Sequence, residues 1–130
     1  MSIPDTSTTM HIGSVAERTG LSLRTLRHWD EVGLVTPSGR TDGGFRLYTE
    51  ADVDRILLVR RMKPLGFSLD QMADLLDVAD RLAAGQTTGP DDADLRARLD
   101  EFITTARARR ADLARKLDMA DELISQLGAV

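Results

Sequence analysis

Arg24, Thr25, Arg27, His28 and Trp29 fall within six consecutive positions. Guanidinium groups make bidentate hydrogen bonds to guanine edges or to phosphates, and an aromatic body carrying an N–H can lie against a sugar-phosphate backbone while donating to it. A second set, Arg40, Arg46 and Tyr48, surrounds the turn sequence Asp42-Gly43-Gly44. Projected from a loop, such groups grip phosphates or enter a minor groove. This is the chemistry of nucleic-acid binding. No Ser-His-Asp or Cys-His grouping accompanies it, no glycine-rich phosphate loop follows a strand, and no spaced His/Cys set is present, so the pattern contains no enzyme.

The elements that must position these groups are legible around them. Ile12, Val15 and Ala16 share one helical face, and Gly20 suits a helix C-terminus. Ser22 then stands where an N-cap is needed for a second helix, Leu23 to Val32, which Gly33 ends. Two short helices joined by a glycine turn predict a helix-turn-helix. Leu23 and Leu26 supply the apolar side of the second helix, with Trp29 divided between core and contact. Asp42-Gly43-Gly44 supplies the positive φ angles of a tight turn, and Phe45 and Leu47 alternate with Arg46 and Tyr48, which predicts a hairpin with one polar edge. The Tyr48 phenol can pack and contact at once. Thr49 caps a third helix, Glu50 to Lys63, and Ser68 a fourth, Leu69 to about Leu82. Pro64 deletes an N–H donor and tightens or kinks the turn after the third helix.

Beyond this head, residues 83–94 combine two Gly, one Pro and small polar residues and predict a linker. Leu95, Leu99, Phe102 and Ala106 then step by four, three and four, and Leu113, Leu117, Ala120, Ile124 and Leu127 resume the rhythm after an extra four-residue step at Arg110. That is a heptad seam with one stutter. At about 1.5 Å per residue, Leu95 to Leu127 extends roughly 50 Å, more apolar stripe than a small head can cover. A second copy of the chain is the simplest partner, giving a symmetric homodimer with Leu99, Phe102, Ala106, Leu113, Leu117, Ala120, Ile124 and Leu127 at the seam. The expected organisation is a disordered N-terminus over 1–10, a winged helix-turn-helix domain over 11–82, the linker over 83–94 and a coiled-coil dimerisation helix over 95–128. The fold class is mostly α.

The formal charge of −4 looks wrong for a DNA-binding protein until it is divided. Residues 1–70 hold nine basic and nine acidic side chains and residues 71–130 eight and twelve, so the deficit lies in the second half. Local arrangement rather than pI decides phosphate binding, and Arg24, Arg27, Arg40, Arg46 and Lys63 converge if the predicted fold forms. The chain has no cysteine, which removes disulfides and thiolate metal sites and agrees with a reducing compartment. Met1 to Thr9 has neither the basic nor the apolar region of a leader, and no apolar run reaches membrane-spanning length. A cytoplasmic protein with no membrane association is expected. Asp91, Asp92 and Asp94 beside Pro90 fit a helix start, where the dipole favours acids, and no metal site or cofactor is expected.

The stretches Ile12-Gly-Ser-Val-Ala16, Leu26-Arg-His-Trp-Asp-Glu-Val-Gly-Leu34, Gly44-Phe-Arg-Leu-Tyr-Thr49, Ala51-Asp-Val53 and Leu65-Gly-Phe-Ser-Leu69 together resemble the MerR (mercury-resistance regulator) family of bacterial transcription regulators. The resemblance covers a little over half the chain. It implies a homodimer whose winged heads are joined by long antiparallel helices and bind a pseudo-palindrome of double-stranded DNA inside a promoter, where RNA polymerase is the further partner. It also implies that Arg24 and Thr25 face bases or nearby phosphates and that Arg27, Trp29, Arg46, Tyr48 and Lys63 hold the backbone. From their own places in the head, Ser22, His28 and Arg40 complete the expected DNA-facing set. The family usually shows Tyr where this chain has Trp29, so a hydroxyl contact becomes an indole N–H contact. The cysteines that metal-binding members carry near the end of the long helix are absent, and the chain stops at Gly128-Ala-Val130. The effector therefore stays open among a small apolar ligand at the junction of linker, third helix and long helix, a protein partner, or none. The expected function is a regulator that deforms promoter DNA. Its rivals are a repressor or architectural protein that uses the head without switching, and a coiled-coil interaction module whose head docks protein.

Overall fold

The computed structural model describes residues 8–85 and 89–130. The chain divides into two units, Met1–Leu76 and Asp77–Val130, with the boundary inside one helix.

In the first unit, a short strand β1 (Met10–His11) leads into α1 (Ile12–Thr19), and α2 (Leu23–Glu31) follows after a three-residue turn. Gly20 ends α1 in the left-handed conformation at φ 72°, and its N–H bonds to the Ala16 carbonyl. That backbone region suits glycine because no Cβ is present to clash. Ser22 caps α2 as its sequence position predicts, its hydroxyl oxygen accepting from the Thr25 N–H at 3.0 Å. Helix α2 stops at Glu31 with Val32 as C-cap, one residue short of the expected end. The Trp29 carbonyl accepts from both Leu34 and Val35 N–H groups, which turns the chain back toward the core.

The wing is a three-stranded antiparallel sheet in the order β1-β3-β2, with β2 at Gly39–Arg40 and β3 at Arg46–Tyr48. Its register pairs Met10 with Tyr48, His11 with Leu47, Gly39 with Leu47 and Arg40 with Arg46. The hairpin was predicted; the third strand was not. Met10 lies in that strand, so the expected disorder over 1–10 does not extend to it, while the same expectation for 1–7 falls outside the described residues. Of Asp42, Gly43 and Gly44, only Gly44 has a positive φ, at 86°. Thr41 does the rest of the turn: its N–H donates to the Phe45 carbonyl, its carbonyl accepts from Gly44 and its hydroxyl oxygen accepts from the Phe45 N–H.

Helix α3 (Glu50–Met62) starts with a reciprocal capping box in which the Thr49 oxygen accepts from the Asp52 N–H and the Asp52 carboxylate accepts from the Thr49 N–H. The missing donor of Pro64 is absorbed by a single 3-10 turn, Lys63–Leu65, so α3 ends one residue before the predicted Lys63. Ser68 and Gln71 make a second reciprocal box at the start of α4 (Leu69–Ala84). Helix α1 is the hub of this unit, touching α2, α3, β1 and β3. Around it Val15, Leu26, Trp29, Val53, Ile56 and Val59 are buried.

In the second unit, α5 runs over Pro90–Gly128, 39 residues with Pro90 in its first turn, which at about 1.5 Å per residue is roughly 58 Å. The linker expected over 83–94 is therefore shorter. Ala83 and Ala84 still belong to α4, and Pro90 to Asp94 already belong to α5, because proline is well tolerated in a first helical turn and the acids beside it favour the helix start. Leu95 and Val78 are buried; Leu99, Phe102 and Ala106 are partly covered; from Leu113 onward the helix is exposed throughout. Among the described residues no helix is long and apolar enough to cross a membrane.

Candidate nucleic-acid interface

Two faces of α2 have separate roles. Leu26 and Trp29 are buried at 1% and 4% exposure, whereas Arg24, Arg27 and His28 are exposed on the other side. A spacing of three residues brings Leu26 and Trp29 to the same side of a helix, which leaves the basic residues between them facing out. Trp29 is thus a core residue, and the expectation that its ring also reaches the nucleic acid is corrected. Thr25 is half-buried; its hydroxyl accepts a bond from the Ser22 hydroxyl at 2.9 Å. Among the described residues the Arg24 and Arg27 side chains have no ion-pair partner.

The wing differs more from expectation. Tyr48 is wholly buried, so it does not project from the loop. It pairs with Met10 across the sheet, and by the two-residue period of β3 it shares a face with Arg46. Its hydroxyl has no hydrogen-bond partner among the described residues, and burial, followed by the charge of Asp30, pushes its pKa above the ordinary value of 10. Arg40 lies on the edge strand β2 and Arg46 opposite it on the central strand β3, but neither is free. Arg46 Nε donates to Asp30 Oδ2 at 2.6 Å and Arg40 donates to the same oxygen at 3.0 Å. The bond to Asp30 holds the Arg46 guanidinium still more firmly protonated. Lys63 is exposed at the 3-10 turn after α3.

The structure thus places Ser22, Arg24, Arg27, His28, Arg40 and Lys63 at the surface and leaves Thr25 and Arg46 partly covered. Three contributors were not singled out from sequence. Asp30 holds both wing arginines beside the end of α2; an acid six residues after Arg24 reads as a solvated helix charge until the wing is placed. Phe45 is 68% exposed at the wing tip, although its alternation with Arg46 suggested an inward side. Its ring lies over Gly43, where a Cβ would sit 3.3 Å from the ring edge. Asp52 is 5% exposed and accepts from the Ser38 N–H and hydroxyl, joining the segment before β2 to α3.

A short helix presenting unpaired guanidinium groups, with a basic wing fixed at its end, is the geometry of a head that reads a groove while gripping the flanking backbone. The family profile described as MerR HTH family regulatory protein matches residues 10–78, the span from β1 into α4. The chain belongs to the MerR family. The transcriptional activator mta of Bacillus subtilis is 41% identical over 96 residues, 72% of this chain and 37% of its own length. The transcriptional regulator YfmP of the same organism is 35% identical over 119 residues, 88% of this chain and 80% of its own. In three dimensions the chain is similar to HiNmlR, a MerR family regulator lacking the sensor domain and bound to promoter DNA, with a TM-score of 0.68, 27% identity and 91% of this chain covered against 89% of that one. The chain therefore spans little more than a third of mta, and the MerR features it carries are those of the DNA-binding head and the helix that follows.

Proposed function

We propose that this MerR-family chain is a sequence-specific transcription regulator that binds a pseudo-palindromic promoter site as a homodimer and distorts the spacer between its two halves. The observation that carries the reading is the unpaired basic face of α2, Arg24, Arg27 and His28, beside two wing arginines anchored at Asp30. Arg24 and Thr25 are assigned to bases or adjacent phosphates, and Ser22, Arg27, His28, Arg40, Arg46 and Lys63 to the backbone. Promoter DNA in the HiNmlR structure supports the partner class.

Dimerisation is proposed through α5. Leu113, Leu117, Ile124 and Leu127 are 44%, 63%, 66% and 63% exposed, an apolar row at heptad spacing left uncovered among the described residues. Leu99, Phe102, Ala106 and Ala120 continue that row. Antiparallel pairing of such helices fixes the distance between two heads, and both heads then dock on one face of a duplex only if its centre bends or untwists, at a cost of a few kcal/mol. Each base pair turns the duplex by roughly 34–36°. Untwisting an over-long spacer thus realigns promoter elements for RNA polymerase. The test is transcription in vitro from a promoter recovered by mapping bound genomic sites, with native and shortened spacers and chemical probing of the central base pairs. Activation confined to the long spacer, with a reactive centre, is expected. Equal activation on an ordinary spacer without distortion contradicts the mechanism.

A further inference from the structure

Asp30 sits in the last turn of α2, where its Oδ2 accepts from Arg46 at 2.6 Å and from Arg40 at 3.0 Å. Its side chain is 10% exposed, against 24% for Arg46 and 47% for Arg40. Arg40 donates in addition to the Gly44 carbonyl at 3.3 Å, which draws the tip of the hairpin into the same cluster. Two cations on one carboxylate leave a local charge of about +1 where the two arginines by themselves carry +2.

A phosphate competes for the same guanidinium donors as a carboxylate does. Attraction to arbitrary DNA grows with the number of cations available to displace counterions, with a salt slope of about −0.9 per phosphate neutralised. Arginines already engaged by a half-buried carboxylate contribute less to that term than free ones, and they are held at one position relative to α2. Released, they would reach any phosphate within range of the β2–β3 hairpin. A simple brace has a different consequence, because its loss weakens binding to every sequence alike.

Resting on the DNA-binding reading above, we infer that Asp30 is a specificity-determining and positioning residue, which restrains Arg40 and Arg46 in a shared ion pair, lowers affinity for arbitrary duplex and so widens the margin by which a matched site is preferred.

The experiment uses the full chain and two labelled duplexes, one enriched by the wild-type protein from a random pool and one scrambled from it, with binding followed by fluorescence anisotropy between about 50 and 200 mM salt. Asp30→Asn should bind the scrambled duplex several-fold more tightly at low salt, steepen the salt slope by one to two, and shrink the matched-to-scrambled ratio about tenfold. Asp30→Glu, which keeps the charge, should restore most of that ratio. On an Arg40→Gln/Arg46→Gln background, Asp30→Asn should alter neither slope nor ratio. Asp30→Ser, also uncharged, repeats the comparison should the Asn variant fail to fold, as judged by circular dichroism. A folded uncharged variant with wild-type slope and ratio overturns the inference, and so does one that binds both duplexes more weakly in equal proportion. Failure of the wild type to enrich any sequence removes the DNA-binding reading as well, so the two failures are distinguishable.

Discussion

The Ser38 hydroxyl donates to Asp52 Oδ2 at 2.6 Å, across fourteen residues of chain. Through that contact the approach to the wing is anchored on the capping box of α3, since the same oxygen accepts from the Thr49 N–H at 2.9 Å and the Ser38 N–H at 3.1 Å. Asp52 is 5% exposed while Ser38 is exposed, so replacing Asp52 by Ala removes the bonds but leaves Ser38 open to water, and it should cost about 1–2 kcal/mol of stability. Urea unfolding measures this as a lower midpoint at unchanged slope; a loss well under 1 kcal/mol would show that the anchor is not needed.

Tyr48 leads to an opposite expectation. Its buried hydroxyl lacks a partner among the described residues, and leaving such a group unpaired costs about 1–3 kcal/mol. Tyr48→Phe should therefore leave stability at neutral pH unchanged or raise it by about 1 kcal/mol, with DNA affinity unaltered. Burial also sets a pH dependence. Because the folded pKa is raised above 10, the native state keeps a proton that the unfolded chain releases, so stability falls as pH rises from about 10 through the folded value. Thermal melts across that range should show the fall in wild type and a smaller one in Tyr48→Phe. A large loss of DNA affinity on this substitution would return the phenol to the interface.

Arg24 is exposed and without an ion-pair partner among the described residues, and as a reading residue it should govern base preference. Arg24→Ala is expected to relax selection at one position of each half-site by about 1–3 kcal/mol, the worth of a bidentate contact to a base. Site selection with wild type and variant decides it. Identical preferences would remove Arg24 from the reading role and leave it a phosphate contact.

At Leu117, 63% exposed on α5, the expectation concerns assembly. Leu117→Asp would place an unpaired charge in an apolar seam, a penalty of several kcal/mol, and should convert dimers to monomers in sedimentation while the helical spectrum of the head persists. A fully dimeric variant would place the interface elsewhere.

Local rules made the head readable. Ser22, Thr49 and Ser68 cap the helices they precede, and Gly20 and Gly44 take the backbone angles their neighbours require, because caps and turns depend on a few adjacent residues. Features set by tertiary pairing were hidden. Met10 joins the wing only through its partner Tyr48, and two residues of strand carry no periodicity. Tyr48 and Trp29 were assigned to contact because their polar tips suggest it, while burial is decided by the sheet and helix they pack within. The linker is shorter than its composition suggests because Ala83 and Ala84, and the acids after Pro90, suit helix ends as well as loops. Asp30 could be weighed only once two arginines far along the chain had been brought to one oxygen.

The central claim is that two copies of this chain read inverted half-sites. It is tested most directly by enriching duplexes from a random pool with the 130-residue chain and measuring the mass of the complex on the winning sequence. The account predicts two inverted copies of one half-site, about one helical turn or a multiple apart, bound by two protein chains. Absence of enrichment, or enrichment of one asymmetric site bound by a single chain, would contradict it.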